Sequence, residues 1–258
     1  MKQENDYSPV ELMACAAARI LEDGKSVFVG TGLPIIASAL AQKTHAPHLF
    51  VVFEAGAMGA QIPELPISVG GSRTLHKAIM ANSMDYVMST GQLGYLDYAF
   101  LGGAQIDMYG NLNTTVIGPH DHPKTRLPGS GGGNDGGSLC WRIIIMMQQD
   151  ARRFVKKLDF LTTPGYLTGP GARERAGLPA DTGPYRVITQ LGVMNFDEKT
   201  KRMALISLHP GITLDQLKSN TGFDILIPNE VAVTQPPSEE ELRILRTEID
   251  PARILVRR

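Results

Sequence analysis

The residues Val51-Val52-Phe53-Glu54-Ala55-Gly56 place one carboxylate at the end of an apolar run, with a glycine two residues on. An apolar run that ends this abruptly predicts a buried parallel strand. In open α/β sheets, ligands bind beyond the carboxyl ends of the strands. Glu54 therefore stands where a carboxylate serves as a base or a nucleophile. Position alone leaves another use open, because a strand-end glutamate also caps helices or pairs with arginines.

Other residues are weaker candidates. Gly129 to Gly137 lacks the Lys-Ser/Thr of a phosphate-binding loop. Gly30-Thr31-Gly32 follows the first apolar run but has no third glycine at dinucleotide spacing. Glycines in both places would let backbone approach a ligand, and their N–H groups would suit a developing oxyanion. For 129–137 a flexible connector is the alternative, although Asn134-Asp135 favours a shaped loop.

His120-Asp121-His122 would reach one metal ion only in a bent loop, since alternate residues of an extended chain point apart. No third ligand stands at a telling spacing, so hydrogen bonding or a subunit contact is favoured, and no metal is expected. His76 and His209 are isolated. No Gly-x-Ser-x-Gly elbow supports a serine triad. Arg173 and Arg175 would hold a carboxylate or phosphate, or serve equally as surface charges.

These residues need elements to position them. Ser8-Pro9-Val10-Glu11 predicts a capped helix running to about Glu22. Strands are expected at Ser26–Gly30, at Leu49–Phe53 and at Tyr98–Gly103. A helix is expected from Ile35 to Lys43, and a helix-like stretch from about Thr74. The alternation of helix and strand predicts parallel pairing with right-handed crossovers. Asp107 to Asn111 reads as a tight turn, 113–117 as extended, 118–138 as a long loop and Arg142–Met147 as a buried strand. Residues 159–163 look strand-like, and Pro164–Pro184 reads as a functional surface loop or partner contact. Three strands from Tyr185 to Leu208 read as antiparallel. Short helices start at Thr213 and Ser238. The fold class expected is α/β: an open, mostly parallel sheet flanked by helices, with some antiparallel strands in the C-terminal part.

The 258 residues, 43% of them hydrophobic, suffice for a sizeable core. A net charge of −1 argues against non-specific binding to nucleic acid or membrane surfaces. With 6% aromatic residues a base-stacking surface is also disfavoured. Cys15 and Cys140 form no Cys-x-x-Cys motif. Met1-Lys2-Gln3-Glu4-Asn5-Asp6 is polar and lacks a signal-peptide core. The expectation is a reduced, cytoplasmic setting.

Several stretches together resemble the family I coenzyme A-transferases, and within them the glutaconate-type β subunits. They include Val29-Gly30-Thr31-Gly32-Leu33-Pro34, Glu54-x-Gly56, Leu101-Gly102-Gly103-Ala104-Gln105-Ile106-Asp107 and Tyr109-Gly110-Asn111. His122-Pro123-Lys124-Thr125-Arg126, Gly129-Ser130-Gly131-Gly132, Gly169-Pro170-Gly171 and Asn220-Thr221-Gly222-Phe223 continue the series in order. The resemblance spans nearly the whole chain and implies a single domain over 1–258. It departs at 72–98 and at Gly59-Ala60-Gln61, beside the acyl site that the resemblance implies, so it leaves the acid unnamed.

The resemblance implies that Glu54 is the nucleophile of a ping-pong reaction through a glutamyl-CoA thioester. Glutamate carboxyls ordinarily ionise near a pH of about 4.3, so such a nucleophile needs no helper base. It needs oxyanion stabilisation and exclusion of water instead. Gly56, Gly102, Gly103, Gly131 and Gly132 are the implied oxyanion or substrate-binding positions, with Gln105 a side-chain contact. Coenzyme A enters as substrate, no bound cofactor is expected, and an α subunit is the expected partner in a hetero-oligomer of αβ pairs. If water reached the adduct, the same residues would give a thioester hydrolase; a hydrolase or a lyase of decarboxylase or ring-opening type on the same scaffold is the alternative reading. A sugar-phosphate sensor on a related fold is disfavoured, since no helix-turn-helix or basic arm is present.

Overall fold

A computed structural model describes residues 7–66 and 68–255. The polar stretch 1–6 lies outside the described residues. The chain forms two compact units, Met1–Ser89 with Gln235–Arg258, and Thr90–Thr234.

In the first unit, α1 (Pro9–Ala18) opens with the expected capping box: Ser8 accepts from the Glu11 N–H, and the Glu11 carboxylate accepts from the Ser8 N–H at 2.7 Å. Its small apolar residues are buried throughout, as in a helix enclosed on all sides. β1 (Ser26–Val29) is fully buried and leads through Gly30-Thr31-Gly32 into α2 (Leu33–Lys43). β2 (Phe50–Phe53) pairs parallel with β1, from Ser26 opposite Phe50 to Val29 opposite Phe53. β3 (Ala57–Ala60) then folds straight back antiparallel on β2, and β4 (Met80–Ala81) pairs antiparallel with β3. The antiparallel strands are therefore not confined to the C-terminal part. Instead of a helix from Thr74, a 3-10 turn at Ser72–Leu75 precedes β4, and α3 spans only Met84–Gln92.

In the second unit, β5 (Tyr98–Leu101) is buried and a two-stranded ribbon of β6 (Gln105–Ile106) and β7 (Leu112–Asn113) follows. The turn between them forms as expected: the Asp107 carboxylate accepts the Tyr109 and Asn111 N–H groups at 2.9 and 3.1 Å. β8 (Val116–Ile117) pairs with β9 (Thr125–Arg126). α4 (Gly133–Leu139) and β10 (Arg142–Met146) come next. Residues 118–138 are thus not one long loop, since they contain β9 and most of α4. Residues 159–163 form no strand; Thr163 makes a single bridge to Leu112. A short helix, α5 (Ala172–Arg175), interrupts the expected loop before β11 (Gly183–Ile188). β12 (Gly192–Phe196) and β13 (Met203–Leu208) complete the expected antiparallel run. α6 (Leu214–Ser219) has its capping box at Thr213, and β14 (Ala232–Val233) pairs parallel with β13. The sheet order within this unit is β14-β13-β12-β11-β10-β5, with β5, β10 and β11 parallel.

The chain then returns to the first unit as α7 (Glu239–Ile244), capped by Ser238 and continued by a π-helical turn. The closure is ionic. Arg246 Nε donates to Glu11 at 2.6 Å, and the Glu11 side chain is 2% exposed. Burial opposes ionisation of Glu11, but hydrogen bonds from Arg246 and Ser8 outweigh it and hold the carboxyl below its usual range. Among the described residues no helix is long and apolar enough to cross a membrane.

Candidate active site

Glu54 directly follows β2, whose last residue, Phe53, is fully buried. Its backbone is the second position of a tight turn closed by Gly56 N–H donating to Phe53 O at 3.0 Å. Gly56 takes φ +117°, and a Cβ there would overlap the Asn82 carbonyl. Asn82 N–H donates back to Gly56 O at 2.9 Å. The chain leaving β4 therefore lies against the turn, and only glycine allows that approach. Glu54 itself is half-buried.

The parallel register sets what lies beside it. Val29 opposite Phe53 puts Gly30-Thr31-Gly32 and the start of α2 at the same strand ends as Glu54. Gly32 has φ +90°, and neither Gly30 nor Gly32 would bring a Cβ within 4 Å of another atom. The backbone there faces open space at a helix N-terminus, where negative charge is favoured. The position of Glu54 at the end of a buried strand was legible from the sequence. Asn82 was missed, because nothing in Ala81-Asn82-Ser83 marks a backbone that must abut a glycine 26 residues earlier.

The other positions expected from the sequence, Gly102, Gly103, Gln105, Gly131 and Gly132, lie in the second unit and are described within it. Gly102 and Gly103 leave the carboxyl end of β5; a Cβ on Gly103 would come 3.1 Å from Gln105 O and 3.2 Å from Leu112. The buried Gln105 side chain is engaged inside its own unit. Its Nε2 donates to Asp159 at 3.0 Å, and its Oε1 accepts from Asn113 at 2.7 Å and from the Asp159 N–H at 3.0 Å. Gly131, with φ +50°, and Gly132 form the turn into α4.

The glycine-rich run is therefore shaped, as Asn134-Asp135 suggested: 129–132 is a loop and turn, and 133–137 is the start of α4. Asn134 N–H donates to Ser130 Oγ at 3.0 Å, and its side chain donates to Thr162 O at 2.9 Å. A Cβ on Gly137 would overlap the Thr163 methyl. Arg173 ties off the far end of α4. It is 1% exposed, and its guanidinium donates to Gly137 O at 2.7 Å, Ser138 O at 3.2 Å, Pro164 O and Gly165 O at 3.1 Å, and Thr182 Oγ1 at 3.0 Å. Burial lowers its pKa to about 10. Arg173 is thus neither a surface charge nor an anion holder. Both cysteine thiols are pushed up to about 12 by burial, which makes them poor nucleophiles. His120 stacks on Phe160, with ring centroids 5.3 Å apart.

Residues 10–220 match the coenzyme A transferase family. The chain belongs to that family. It is 39% identical to the B subunit of glutaconate CoA-transferase from Acidaminococcus fermentans, over 99% of this chain and 97% of the relative. It is 40% identical to the B subunit of 3-oxoadipate CoA-transferase from Pseudomonas knackmussii, over 93% and 92% respectively. The crystal structure of glutaconate coenzyme A-transferase from Acidaminococcus fermentans superposes with a TM-score of 0.93 at 39% identity, covering 98% of each chain. The decarboxylase AibA/AibB superposes with a TM-score of 0.83 at 26% identity, covering 97% of this chain and 99% of the other. The α/β fold expected from the sequence is thus that of the coenzyme A transferases.

Proposed function

We propose that this chain is the β subunit of a heteromeric CoA-transferase and that Glu54 is its nucleophile. The observation that carries the reading is local: in a chain of this family, Glu54 ends a buried parallel strand on a turn whose glycine admits no side chain. The Glu54 carboxylate attacks the thioester carbonyl of an acyl-CoA and expels CoA thiolate, leaving a mixed anhydride. The thiolate attacks the glutamyl carbonyl and expels the free acid, leaving a glutamyl-CoA thioester. A second acid then takes the CoA by the reverse steps. Fixing the carboxylate on a rigid turn supplies orientation, which is a large part of such a barrier.

An α subunit fits the two CoA-transferase relatives, each of which is the B component of its enzyme. Glutaconate and 3-oxoadipate are both dicarboxylates, which supports a small dicarboxylic acid as one partner in exchange. Gly102, Gly103, Gly131 and Gly132 are the candidate oxyanion donors and Gln105 the candidate side-chain contact. Losing one such donor costs roughly 100- to 1000-fold in rate.

The test is CoA exchange by the reconstituted αβ complex. Glu54→Ala abolishes exchange, and Glu54→Asp retains little because the shorter side chain misplaces the attacking oxygen. Turnover of Glu54→Ala near wild type would refute covalent transfer, and CoA release without exchange would point to hydrolysis.

A further inference from the structure

Beyond the carboxyl end of β10 the second unit holds a pocket of about 310 Å³. That is the lower end of the roughly 300–1,000 Å³ of small-molecule sites. Its apolar side is Leu217, Phe223 and Ile225, and its polar side is Lys218, Thr221 and Asp224. The walls are fixed from behind. The buried Gln149 side chain donates to the Thr221 hydroxyl at 2.9 Å, and that hydroxyl donates to Leu217 O at 2.8 Å. Gly222 N–H donates to Phe154 O at 2.7 Å, and a Cβ on Gly222 would come 2.6 Å from the same oxygen. Phe154 stacks on Phe223, with ring centroids 6.2 Å apart. A pocket held this way needs little ordering when it binds.

The charges around it are unmatched. Lys218 and Asp224 are exposed, and neither side chain has an ion-pair partner among the described residues. The backbone of Val155 and Lys156 abuts Gly222, and the exposed Lys156 and Lys157 are likewise unpaired among the described residues. The surroundings are therefore basic, with one carboxylate in the lining. An aromatic wall suits the face of a nucleobase. A carboxylate accepts from an exocyclic amine. Lysines take phosphate oxygens. Of the common bases only adenine bears an amine and no carbonyl, so only adenine meets Asp224 without setting oxygen against oxygen. Gly102 lies against the last residue of β10, since a Cβ there would come 3.3 Å from Met146 O. The pocket and Gly102 thus share the carboxyl ends of β5 and β10, the end at which parallel sheets bind ligands.

We propose that this pocket binds an adenine nucleotide. The base lies against Phe223 with its amine donating to Asp224, and the phosphates meet Lys218 and the 156–157 lysines. The nucleotide is either free or the adenosine diphosphate end of CoA, and the pocket recognises both in the same way. Only the second source rests on the CoA-transferase reading above.

The test is calorimetric titration of the full chain and of the αβ complex with AMP, IMP and CoA, as wild type, Lys218→Glu and Asp224→Ala. Both positions are exposed, and the Arg202 bond to Asp224 O at 2.9 Å uses the backbone, so the variants keep the fold; an unchanged melting temperature verifies it. Saturable AMP binding that is roughly ten- to hundredfold tighter than IMP binding, and weakened by a similar factor in both variants, establishes the site. Displacement of AMP by CoA, with a raised KM for acyl-CoA and an unchanged kcat in both variants, assigns it to the CoA end. AMP binding that CoA does not displace assigns it to a free nucleotide. The titrations need no turnover, so their outcome is separate from the chemistry of Glu54. Equal binding of AMP and IMP, or no saturable binding of AMP or CoA that either variant weakens, overturns the proposal.

Discussion

The Glu54 turn and the glycine-rich helix α4 both depend on glycine, for opposite reasons. At Gly56 the backbone just past β4 comes so close that no Cβ fits, and the result is a tight hairpin turn that carries Glu54. Along α4 the glycines weaken a helix that would not form alone, and distant groups hold it. Arg173 bonds its last carbonyls, and Thr163 packs where a side chain at Gly137 would stand. One region uses glycine to form the turn that carries Glu54, the proposed nucleophile; the other is clamped. Perturbing the first should change chemistry, and perturbing the second should change stability.

The largest effect is expected at the clamp. Arg173→Met leaves four carbonyls of α4 and the 164–165 segment without their donor, and buried acceptors left unmet cost about 1–3 kcal/mol each. Denaturant unfolding should show a loss of about 3–5 kcal/mol. Hydrogen exchange should open first across 133–139.

Gly56→Ala comes next and should separate the two regions. The methyl displaces either the turn or the Asn82 segment, and misplacing a nucleophile by an ångström costs on the order of 100-fold. Steady-state exchange should fall by that order in kcat. The secondary structure seen by circular dichroism should persist. A large loss of stability with kcat retained would mean that the turn only supports the fold.

Gly137→Ala should do the reverse. Overpacking against Thr163 costs about 1–3 kcal/mol, with kcat per folded molecule retained. Thr163→Ser removes the obstructing methyl, so adding it to Gly137→Ala should restore part of the lost melting temperature.

The smallest effect is acid sensitivity at His209, which lies outside both regions and serves as a reference. Its ring nitrogens bond Thr234 Oγ1 at 2.9 Å and Thr189 O at 2.8 Å, and burial lowers its pKa. A depressed base stays neutral in the fold while the unfolded chain takes up a proton near its ordinary pKa of about 6.5. Its share of stability is thus full above that pH and is lost as pH falls through it. Melting temperature should drop more steeply between neutral and mildly acid pH in wild type than in His209→Gln.

What could be read from the sequence follows the range of the interactions. The helices capped by Ser8, Thr213 and Ser238 were legible because each capping box closes within three residues. The strand before Glu54 was legible because its burial is written as a run of apolar residues. α4 was not, since its stabiliser, Arg173, lies far along the chain in an Arg-Glu-Arg stretch that looks solvent-exposed. β3 and β4 were missed because Ala57–Ala60 has no strand-forming side chains and β4 is two residues long. Their pairing is set by the Gly56 turn and by Asn82, a tertiary contact with no local signal.

The central claim is that Glu54 is acylated and then carries CoA. The most direct measurement is peptide mass spectrometry of the reconstituted αβ complex, incubated with acyl-CoA donors without an acceptor acid and then treated with borohydride or hydroxylamine. The account predicts a modification on the peptide containing Glu54 that is absent in Glu54→Ala. Free CoA release with an unmodified Glu54 peptide would contradict it and would assign this carboxylate to base chemistry instead.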